Sequence, residues 1–325
     1  MNQSFDLPQA QRQKTLLALL DFLKQQYYQF TVITPLSHQR ILHRKQKQRQ
    51  TAPTLRDIFG WNLPFNAQDL EAKVFASLKE AQLIRLEHGQ WLSNIRVASL
   101  DQDLFIHSSF PTLEQDAVFF GPDTYRFAYH LKQYLTMLPH GLDRIVELCC
   151  GASAAAITLA RHFPEISEIL VTDINPKALF YSQVNIHFSG LNHIYPLQSD
   201  LFKNLAGKFD LIVANPPYLM DLQERQYRHG GNELDGTDLA FNILKQGIPR
   251  LNLSGSLFLY TGIAIHEQGN KFLAALKNLM QDYPNFKYSY EEIDPDVFGE
   301  ELEQPGYEHI ERIALVLIKI TSLPE

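Results

Sequence analysis

The sequence predicts an α/β fold: a doubly wound, mostly parallel sheet of seven strands, preceded by a smaller N-terminal α+β domain. From Arg144 onward, short apolar runs typical of buried strands alternate with longer runs at helical spacing. Before that point the order is helix, helix and hairpin, which is typical of a separate small domain. At 325 residues the chain is also longer than one usual domain. We therefore expect an N-terminal domain over residues 1–115, a linker with a helix over 116–139, and the sheet domain over 140–325.

The N-terminal domain is predicted to be winged-helix-like. Residues 11–30 carry leucines at helical spacing, and residues 66–80 form a longer helical run with Asn66 as its N-cap. Residues 83–92 alternate around a His-Gly turn, as a hairpin does. The remaining predicted elements are a short helix over 54–59 and a strand over 103–107. Such domains bind nucleic acid in some proteins and protein surfaces in others, so the pattern selects no partner.

Charge is distributed unevenly along the chain. Residues 1–100 hold 13 Lys and Arg against 7 Asp and Glu, whereas the remainder holds 16 against 29. The net formal charges are therefore +6 and −13, which indicates different surroundings or partners for the two parts. Residues 40–49 alone contain five of the cations. We interpret this run as a solvated helix face, with a phosphate-binding patch as the alternative.

The sheet domain is predicted from seven apolar runs separated by helices and turns. Its strands are expected over residues 145–149, 169–172, 194–197, 211–214, 257–261, 288–293 and 313–320, and its helices over 153–162, 176–189 and 266–280. The helix of the linker is expected over 127–138. The run over 211–214 is apolar throughout, which is typical of a strand buried on both faces of a parallel sheet. The last two strands are expected to form an antiparallel hairpin, joined by a loop in which residues 294–303 carry five carboxylates.

Composition also excludes several classes of protein. No run of about 18 apolar residues that could span a bilayer is present, and the first 30 residues lack a signal-peptide layout. We therefore expect a soluble cytoplasmic protein without a membrane partner. Cys149 and Cys150 are adjacent and so cannot staple the fold, and two cysteines without clustered histidines predict no metal site.

Polar side chains follow four consecutive strands of the predicted sheet. Ligands bind outside the carboxyl ends of strands in open α/β sheets, so these positions are candidate site residues. Residues 147–154 end the first strand where a nucleotide loop would lie, and Asp173 ends the second, where a carboxylate can bind ribose hydroxyls. Asp200 follows the third strand, where an acid and the aromatic ring of Phe202 could hold an adenine. The fourth strand leads into Asn215-Pro216-Pro217-Tyr218.

The Asn-Pro-Pro-Tyr stretch has the residue types of a holder for a planar nitrogen group. Proline has no N–H and a fixed φ, so the loop is stiff and no local ladder pairs its carbonyls. The Asn215 side-chain oxygen and the Pro216 carbonyl can together accept two hydrogens from one NH2 group, and Tyr218 can stack on the flat face of that group. The alternative is a rigid turn that only ends a strand. The regular series of strand ends favours the first interpretation.

The first loop favours S-adenosylmethionine over a dinucleotide. A pyrophosphate requires the pattern Gly-x-Gly-x-x-Gly, whereas the candidate glycine positions here are Cys149, Gly151 and Ser153. S-adenosylmethionine has no pyrophosphate and needs backbone room only for its amino-acid part, which Gly151 and its small neighbours can give. NAD is the weaker alternative.

These motifs together resemble a known family. Residues 140–262 resemble the class I S-adenosylmethionine-dependent methyltransferases, and the Asn-Pro-Pro-Tyr is similar to the motif of their N5-glutamine and N6-adenine members. Among these the release-factor glutamine methyltransferases are the most similar, because Gly121-Pro-Asp-Thr124 and the segment 227–236, with Gly230-Gly231 and Asp235-Gly236, resemble elements of that family. The chain departs from it in the winged-helix-like N-terminal domain, which replaces a small helical bundle. It also reads Glu-Leu-Cys-Cys-Gly-Ala-Ser where the family has Asp-x-Gly-x-Gly-x-Gly.

The resemblance implies a Rossmann-like fold, S-adenosylmethionine as the cofactor and a role for each strand end. It assigns cofactor binding to Glu147, Cys149, Gly151, Asp173, Ile174, Asp200, Leu201 and Asn215, and catalysis to Asn215, Pro216, Pro217 and Tyr218.

Three functions follow. The first is methylation of a glutamine in a protein substrate, for which a translation factor is one candidate. The second is N-methylation of a base in ribosomal or transfer RNA, with the basic N-terminal part binding phosphates. The third is a non-catalytic regulator that binds the cofactor, and the intact Asn-Pro-Pro-Tyr argues against it, because a sensor has no need for a substrate holder. The residues leave glutamine and nucleobase open.

Overall fold

The chain splits into two compact units in a computed structural model that describes residues 7–48, 52–138 and 141–323. The first unit consists of Met1–Leu113, Val118–Arg126 and Phe180–Asn192, and the second of Glu114–Ala117, Phe127–Leu179 and His193–Glu325. The three predicted domain ranges stay a prediction. The linker end at 139–140 and Arg49, the last cation of the basic run, lie outside the described residues.

Helices precede two hairpins in the first unit. The helices are α1 (Leu7–Gln25), α2 (Pro35–Gln48), α3 (Leu55–Phe59) and α4 (Ala72–Glu80), and the strands are β1 (Ile84–Glu87), β2 (Gln90–Ser93), β3 (Ile95–Leu100) and β4 (Asp103–Ser108). β1 pairs antiparallel with β2, and β3 with β4. His88 (φ 50°) and Gly89 (φ 79°) make the first turn, and two left-handed residues are what a type I′ hairpin turn requires. The hairpin predicted over 83–92 is therefore confirmed.

The structure of this unit differs from the prediction at one helix and at one strand. The helix expected over 66–80 is two elements, because a 3-10 turn (Ala67–Asp69) follows Asn66 and α4 begins only at Ala72. Leu70 between them is extended (φ −122°) and buried, so the chain leaves helical geometry to place this side chain in the core. β3 was not predicted, because nearly all of its residues are buried and it lacks the alternation of a half-buried strand. The winged-helix assignment stays a prediction.

A seven-stranded sheet forms the centre of the second unit. Its strands are β5 (Arg144–Leu148), β6 (Glu168–Asp173), β7 (Ile194–Gln198), β8 (Phe209–Ala214), β9 (Leu251–Ile265), β10 (Phe286–Asp294) and β11 (Arg312–Ser322). They lie in the order β10-β11-β9-β8-β5-β6-β7. β11 runs antiparallel to both of its neighbours, and the other four neighbouring pairs are parallel. The mostly parallel sheet is therefore confirmed, as is the antiparallel pairing of the last two strands.

Among the described residues, four helices connect consecutive strands of this sheet, and a fifth precedes it. α5 (Pro122–Leu135) comes before β5, and the connecting helices are α6 (Ala154–His162), α7 (Pro176–Ser189), α8 (Asp238–Gly247) and α9 (Lys271–Gln281). α8 was not predicted. α9 begins at Lys271 rather than residue 266, because β9 continues to Ile265 and the Asn270 side chain then caps the helix by accepting the Leu273 N–H at 2.6 Å. Among the helices described here, none is long and apolar enough to cross a membrane.

Candidate active site

The ends of three neighbouring strands lie at one level on the carboxyl edge of the sheet. Leu148 at the end of β5 is the register partner of Thr172 on β6 and of Ala214 on β8. Adjacent strands are about 4.8 Å apart. The residues that follow, Cys149 and Asn215, therefore leave the sheet side by side. The register thus brings the predicted cofactor loop and the predicted acceptor loop to the same place.

The loop after β5 keeps a glycine-type backbone without the glycines. Cys149, Gly151 and Ser153 all have positive φ, at 53°, 51° and 58°. These are the three positions that carry glycine in the family pattern. Left-handed backbone costs a non-glycine residue roughly 1–2 kcal/mol, and such outliers cluster at functional sites. The loop conformation is therefore preserved at two positions where the residue type opposes it.

Asp173 holds this loop to the end of β6. Its Oδ2 accepts the Gly151 N–H at 3.0 Å, and its Oδ1 accepts the Asn175 N–H at 2.9 Å. Burial raises the pKa of Asp173, and these backbone donors act in the opposite direction. Ile174 beside it is 55% exposed, which leaves an apolar side chain available to a flat ligand. Ribose and adenine binding by these two residues stays a prediction.

Glu147 lies beneath the loop as a buried carboxyl. It is only 4% exposed, and its Oε2 accepts the Ala156 N–H at 2.8 Å in the first turn of α6. Burial raises the pKa of Glu147 to about 8, against the effect of the helix N–H groups, and the nearby Asp173 carboxylate raises it further. Burial likewise raises the pKa of the Cys149 thiol, with the surrounding carboxylates adding to the effect. Cys149 is therefore not activated as a nucleophile, and Glu147 organises the loop from below.

The loop after β7 separates Asp200 from Phe202, although the sequence suggested that both could hold an adenine. Asp200 is exposed and Leu201 has a left-handed backbone (φ 47°), in a turn held by the hydrogen bond from Ser199 Oγ to the Leu201 carbonyl at 2.7 Å. Phe202, considered as an adenine contact, is instead a core residue: it is 1% exposed and contacts Phe209. It is therefore unavailable to a ligand at this edge.

The Asn-Pro-Pro-Tyr loop follows β8 with its members at different depths. Asn215 and Pro217 are half-buried, whereas Pro216 and Tyr218 are buried. The Tyr218 ring lies over Gly262 of β9, where a Cβ would come within 2.4 Å of the ring. A glycine inside a strand commonly marks such a close approach. The site thus depends on Gly262, which the sequence interpretation did not single out.

The glycine-rich segment after the motif braces the loop from behind. A Cβ on Gly230 would lie 1.9 Å from the Gly236 carbonyl oxygen and 2.5 Å from that of Pro217. The Gly230 N–H donates to the Leu219 carbonyl at 3.0 Å, which fixes the chain directly after Tyr218. Position 230 therefore requires a residue without a side chain, and the likeness of this segment to the release-factor methyltransferases stays a prediction.

The connection between β10 and β11 supplies a second brace. The Phe298 ring makes an edge contact with Tyr218, at 5.9 Å between centroids, and the Tyr307 hydroxyl accepts the Met220 N–H at 2.9 Å. The guanidinium of Arg228 donates to the Glu301 carboxylate. The acidic loop therefore borders the acceptor loop. Phe298, Glu301 and Tyr307 lie about 70 to 90 residues after the residues that they contact. In the sequence, only the length of the connection indicated a role for them.

Comparisons with known proteins agree with this architecture. Residues 131–261 match the family model of the methyltransferase small domain. The ribosomal protein uL3 glutamine methyltransferases of Neisseria meningitidis (serogroup A, strain Z2491) and Neisseria gonorrhoeae are each 34% identical over 127 residues, which is 36% of this chain and 42% of the relative. The chain thus spans less than half the length of these curated relatives.

A solved structure shows the same fold. Trm5b of Pyrococcus abyssi superposes with a TM-score of 0.50 at 16% sequence identity, covering 74% of this chain and 62% of that chain. At this identity the likeness concerns the fold alone.

Glu147→Gln is expected to remove a pH dependence of stability. Burial raises the pKa of Glu147 from its ordinary 4.5 to about 8, so between these values the folded state holds a proton that the unfolded chain releases. The wild-type free energy of unfolding therefore falls as pH rises from about 5 to 8, by on the order of 4 kcal/mol at 1.36 kcal/mol per pKa unit. The variant lacks this term. Urea denaturation of both proteins at several pH values measures the difference.

The exposed Glu165 provides the matched control, because Glu165→Gln makes the same chemical change at the surface. Parallel stability curves for wild type and Glu147→Gln would contradict a buried, protonated carboxyl.

Proposed function

We propose that this chain, whose residues 131–261 form a class I S-adenosylmethionine-dependent methyltransferase domain, methylates the side-chain amide nitrogen of a glutamine in a protein substrate. One observation carries the proposal: Asn215 leaves β8 beside Cys149 of the cofactor loop, because Leu148 and Ala214 are register partners. A nitrogen held by the acceptor loop would thereby lie next to the methyl donor.

The residues at the strand ends fit S-adenosylmethionine. The left-handed backbone at Cys149, Gly151 and Ser153 lets main chain approach a ligand closely. Glu147 and Gly151 would hold the amino-acid part, Asp173 the ribose, and Ile174 with Leu201 the adenine. The cofactor supplies a methyl group that its sulfonium charge already activates, so the task left to the protein is mainly positioning, worth up to roughly 7–11 kcal/mol.

Asn215 and Pro216 would overcome the weak nucleophilicity of an amide nitrogen. The lone pair of an amide is delocalised into its carbonyl, so the nitrogen must pyramidalise before it attacks. Acceptance of its two hydrogens by the Asn215 side-chain oxygen and the Pro216 carbonyl favours that geometry and stabilises the positive charge of the transition state. Tyr218, held over Gly262 and against Phe298, would support the plane of the amide. No general base is needed before transfer.

Charge beside the acceptor loop supports a protein acceptor. Asp296, Glu300 and Glu303 are exposed on the loop whose Phe298 contacts Tyr218. Carboxylates in this position repel phosphates and attract a cationic peptide. The uL3 glutamine methyltransferases, 34% identical to this chain over 127 residues, make a basic ribosomal protein a candidate of suitable charge, alongside a translation factor.

A base in ribosomal or transfer RNA is the second candidate acceptor. Its support is the net charge of +6 over residues 1–100, which suits phosphate binding. The regulator alternative has no comparable support, because two separate segments brace a loop that a regulator would not need.

The proposal is tested by identifying the methylated polymer. The full chain is incubated with cofactor labelled in its methyl group and an extract of total cell protein and RNA, and the product is divided between protease and ribonuclease. Label that is released by protease and resists ribonuclease, and that hydrolyses to methylamine as an N5-methylated amide does, supports a glutamine acceptor. Label released by ribonuclease would replace it with the nucleobase.

Asn215→Ala and Asp173→Ala are expected to separate turnover from cofactor binding. Loss of Asn215 removes one transition-state contact and lowers kcat by on the order of 10² to 10³, with nearly unchanged cofactor affinity. Loss of Asp173 weakens cofactor binding by about 1.5–3 kcal/mol, the scale of a charged hydrogen bond. Calorimetry measures affinity and label transfer measures kcat. An Asn215 variant that loses affinity as severely as activity would identify this residue as structural.

Neutralising the acidic loop is expected to distinguish the two acceptors. In the triple variant Asp296→Asn, Glu300→Gln and Glu303→Gln, association with a basic protein substrate slows and loses much of its salt dependence, because these charges steer encounter. An RNA acceptor responds in the opposite direction, with tighter binding and a steeper salt slope. Initial rates at several salt concentrations provide the measurement.

The control for this variant removes three exposed carboxylates elsewhere, at Glu80, Glu165 and Asp282. Equal kinetics for both triple variants would show that only net charge matters, and the electrostatic argument for a protein acceptor would be lost.

A further inference from the structure

We propose that the outward face of α2 is a docking surface for the phosphate backbone of RNA. This surface, the α2 basic face, consists of Arg40, Arg44 and Lys47, with His43 between them. All four side chains are exposed. They occupy positions i, i+3, i+4 and i+7 of one helix, which lie on the same side. At 1.5 Å per residue, the three permanent cations extend over about 10 Å of the helix.

The opposite side of α2 fixes this face outward. His38 is fully buried, with Nε2 at 3.0 Å from the Trp61 carbonyl and its ring 4.1 Å from that of Phe110. Lys45 pairs with Asp57 at 2.7 Å. One cation of the run is therefore used to dock the helix, and the cations of the α2 basic face point away from that contact.

Intramolecular pairing does not account for the α2 basic face. The helix contains no Asp or Glu, so it has no internal ion pairs. In the part of the chain that the structure describes, no salt bridge reaches Arg40, Arg44 or Lys47, and the neighbouring Asp57 is already bound to Lys45 and Thr54. Like charges at i and i+4 destabilise a helix by about 0.2–0.5 kcal/mol. The arrangement thus costs stability unless an anion binds to it.

The helix dipole explains only part of the arrangement. Cations in the last turn stabilise a helix by interacting with its carboxyl-terminal carbonyls, which applies to Lys47. Arg40 lies in the second turn of α2, too far from that end to benefit. A solvated helix face, the interpretation preferred from sequence, ordinarily mixes both signs of charge. The absence of acids from all of α2 instead favours a polyanionic partner.

RNA fits this surface better than a membrane does. A peripheral membrane helix needs bulky apolar side chains beside its cations, and on this side of α2 only Leu36 is a large exposed hydrophobic residue. A row of point charges without base-reading side chains suits a phosphate backbone and carries no sequence preference. The proposal concerns the first unit alone and does not depend on which acceptor the methyltransferase site takes.

Neutralising the α2 basic face is expected to weaken RNA binding. The variant Arg40→Gln, Arg44→Gln and Lys47→Gln keeps good helix formers and removes three phosphate contacts. Binding of the full chain to a fluorescent 20-nucleotide uridine RNA is measured by anisotropy at 50–300 mM salt, without cofactor. Each lost contact lowers the slope of log K against log salt by about 0.7, so the slope falls by about 2 and affinity at 0.1 M salt drops on the order of 10²-fold.

Two control variants make the result specific. Lys14→Gln, Lys73→Gln and Lys277→Gln changes net charge equally at exposed positions outside the α2 basic face and is expected to retain nearly wild-type binding. Arg40→Lys with Arg44→Lys keeps the charge and is expected to retain the salt slope. Circular dichroism verifies that all variants are folded.

Four outcomes would overturn the proposal. They are an absence of RNA binding by the wild-type chain, equal losses in the two neutralised variants, an unchanged salt slope in the α2 variant, and loss of binding to phosphatidylserine vesicles with RNA binding intact. Because the measurement contains no methyl transfer, failure here is distinguishable from failure of the proposed activity.

Discussion

The hydrogen bond from the Gly151 N–H to the Asp173 carboxylate, 3.0 Å long, is the interaction on which the candidate site depends. It joins the ends of β5 and β6 and holds the cofactor loop in a conformation that its own residues oppose. Asp173 cannot be replaced by an apolar residue without leaving backbone donors unsatisfied. The same carboxylate is the predicted ribose ligand, so structure and binding share one side chain.

This interaction helps to explain how the loop tolerates residues other than glycine at positions where the family pattern has glycine. The loop has cysteine and serine where the family has glycine, yet both positions retain positive φ. Strain of roughly 1–2 kcal/mol at each position is offset by hydrogen bonds on either side of the loop sequence: Asp173 accepts the Gly151 N–H, and Glu147 of β5 accepts the Ala156 N–H in the first turn of α6. A substitution that looks disabling in sequence can therefore leave the backbone geometry unchanged.

The sequence predicted best the elements whose burial gives a recognisable pattern of apolar residues. It predicted least well the contacts between segments that are far apart in the chain. All seven strands of the sheet were predicted, because apolar runs between helices mark strands buried in a parallel sheet. The match of residues 131–261 to the methyltransferase small domain agrees with the methyltransferase class that the motifs at the strand ends suggested. β3 and α8 were missed. The braces at Gly262, Phe298 and Tyr307 were also missed, since contacts across 40 to 90 residues leave no local periodicity. Phe202 was misplaced because an aromatic residue after a strand can equally enter the core.

The two parts of the chain carry opposite net charge, so local charges, and not the net charge of the whole chain, determine whether a protein or an RNA substrate is favoured. The net charge of −7 argues against neither RNA nor protein, because screening limits exposed charges to about 8 Å at physiological salt. A phosphate backbone on the α2 basic face and a cationic peptide beside Glu300 and Glu303 would each respond only to the charges that they contact. Under the proposed function, the identity of the methylated atom depends on what fits between Asn215 and Tyr218.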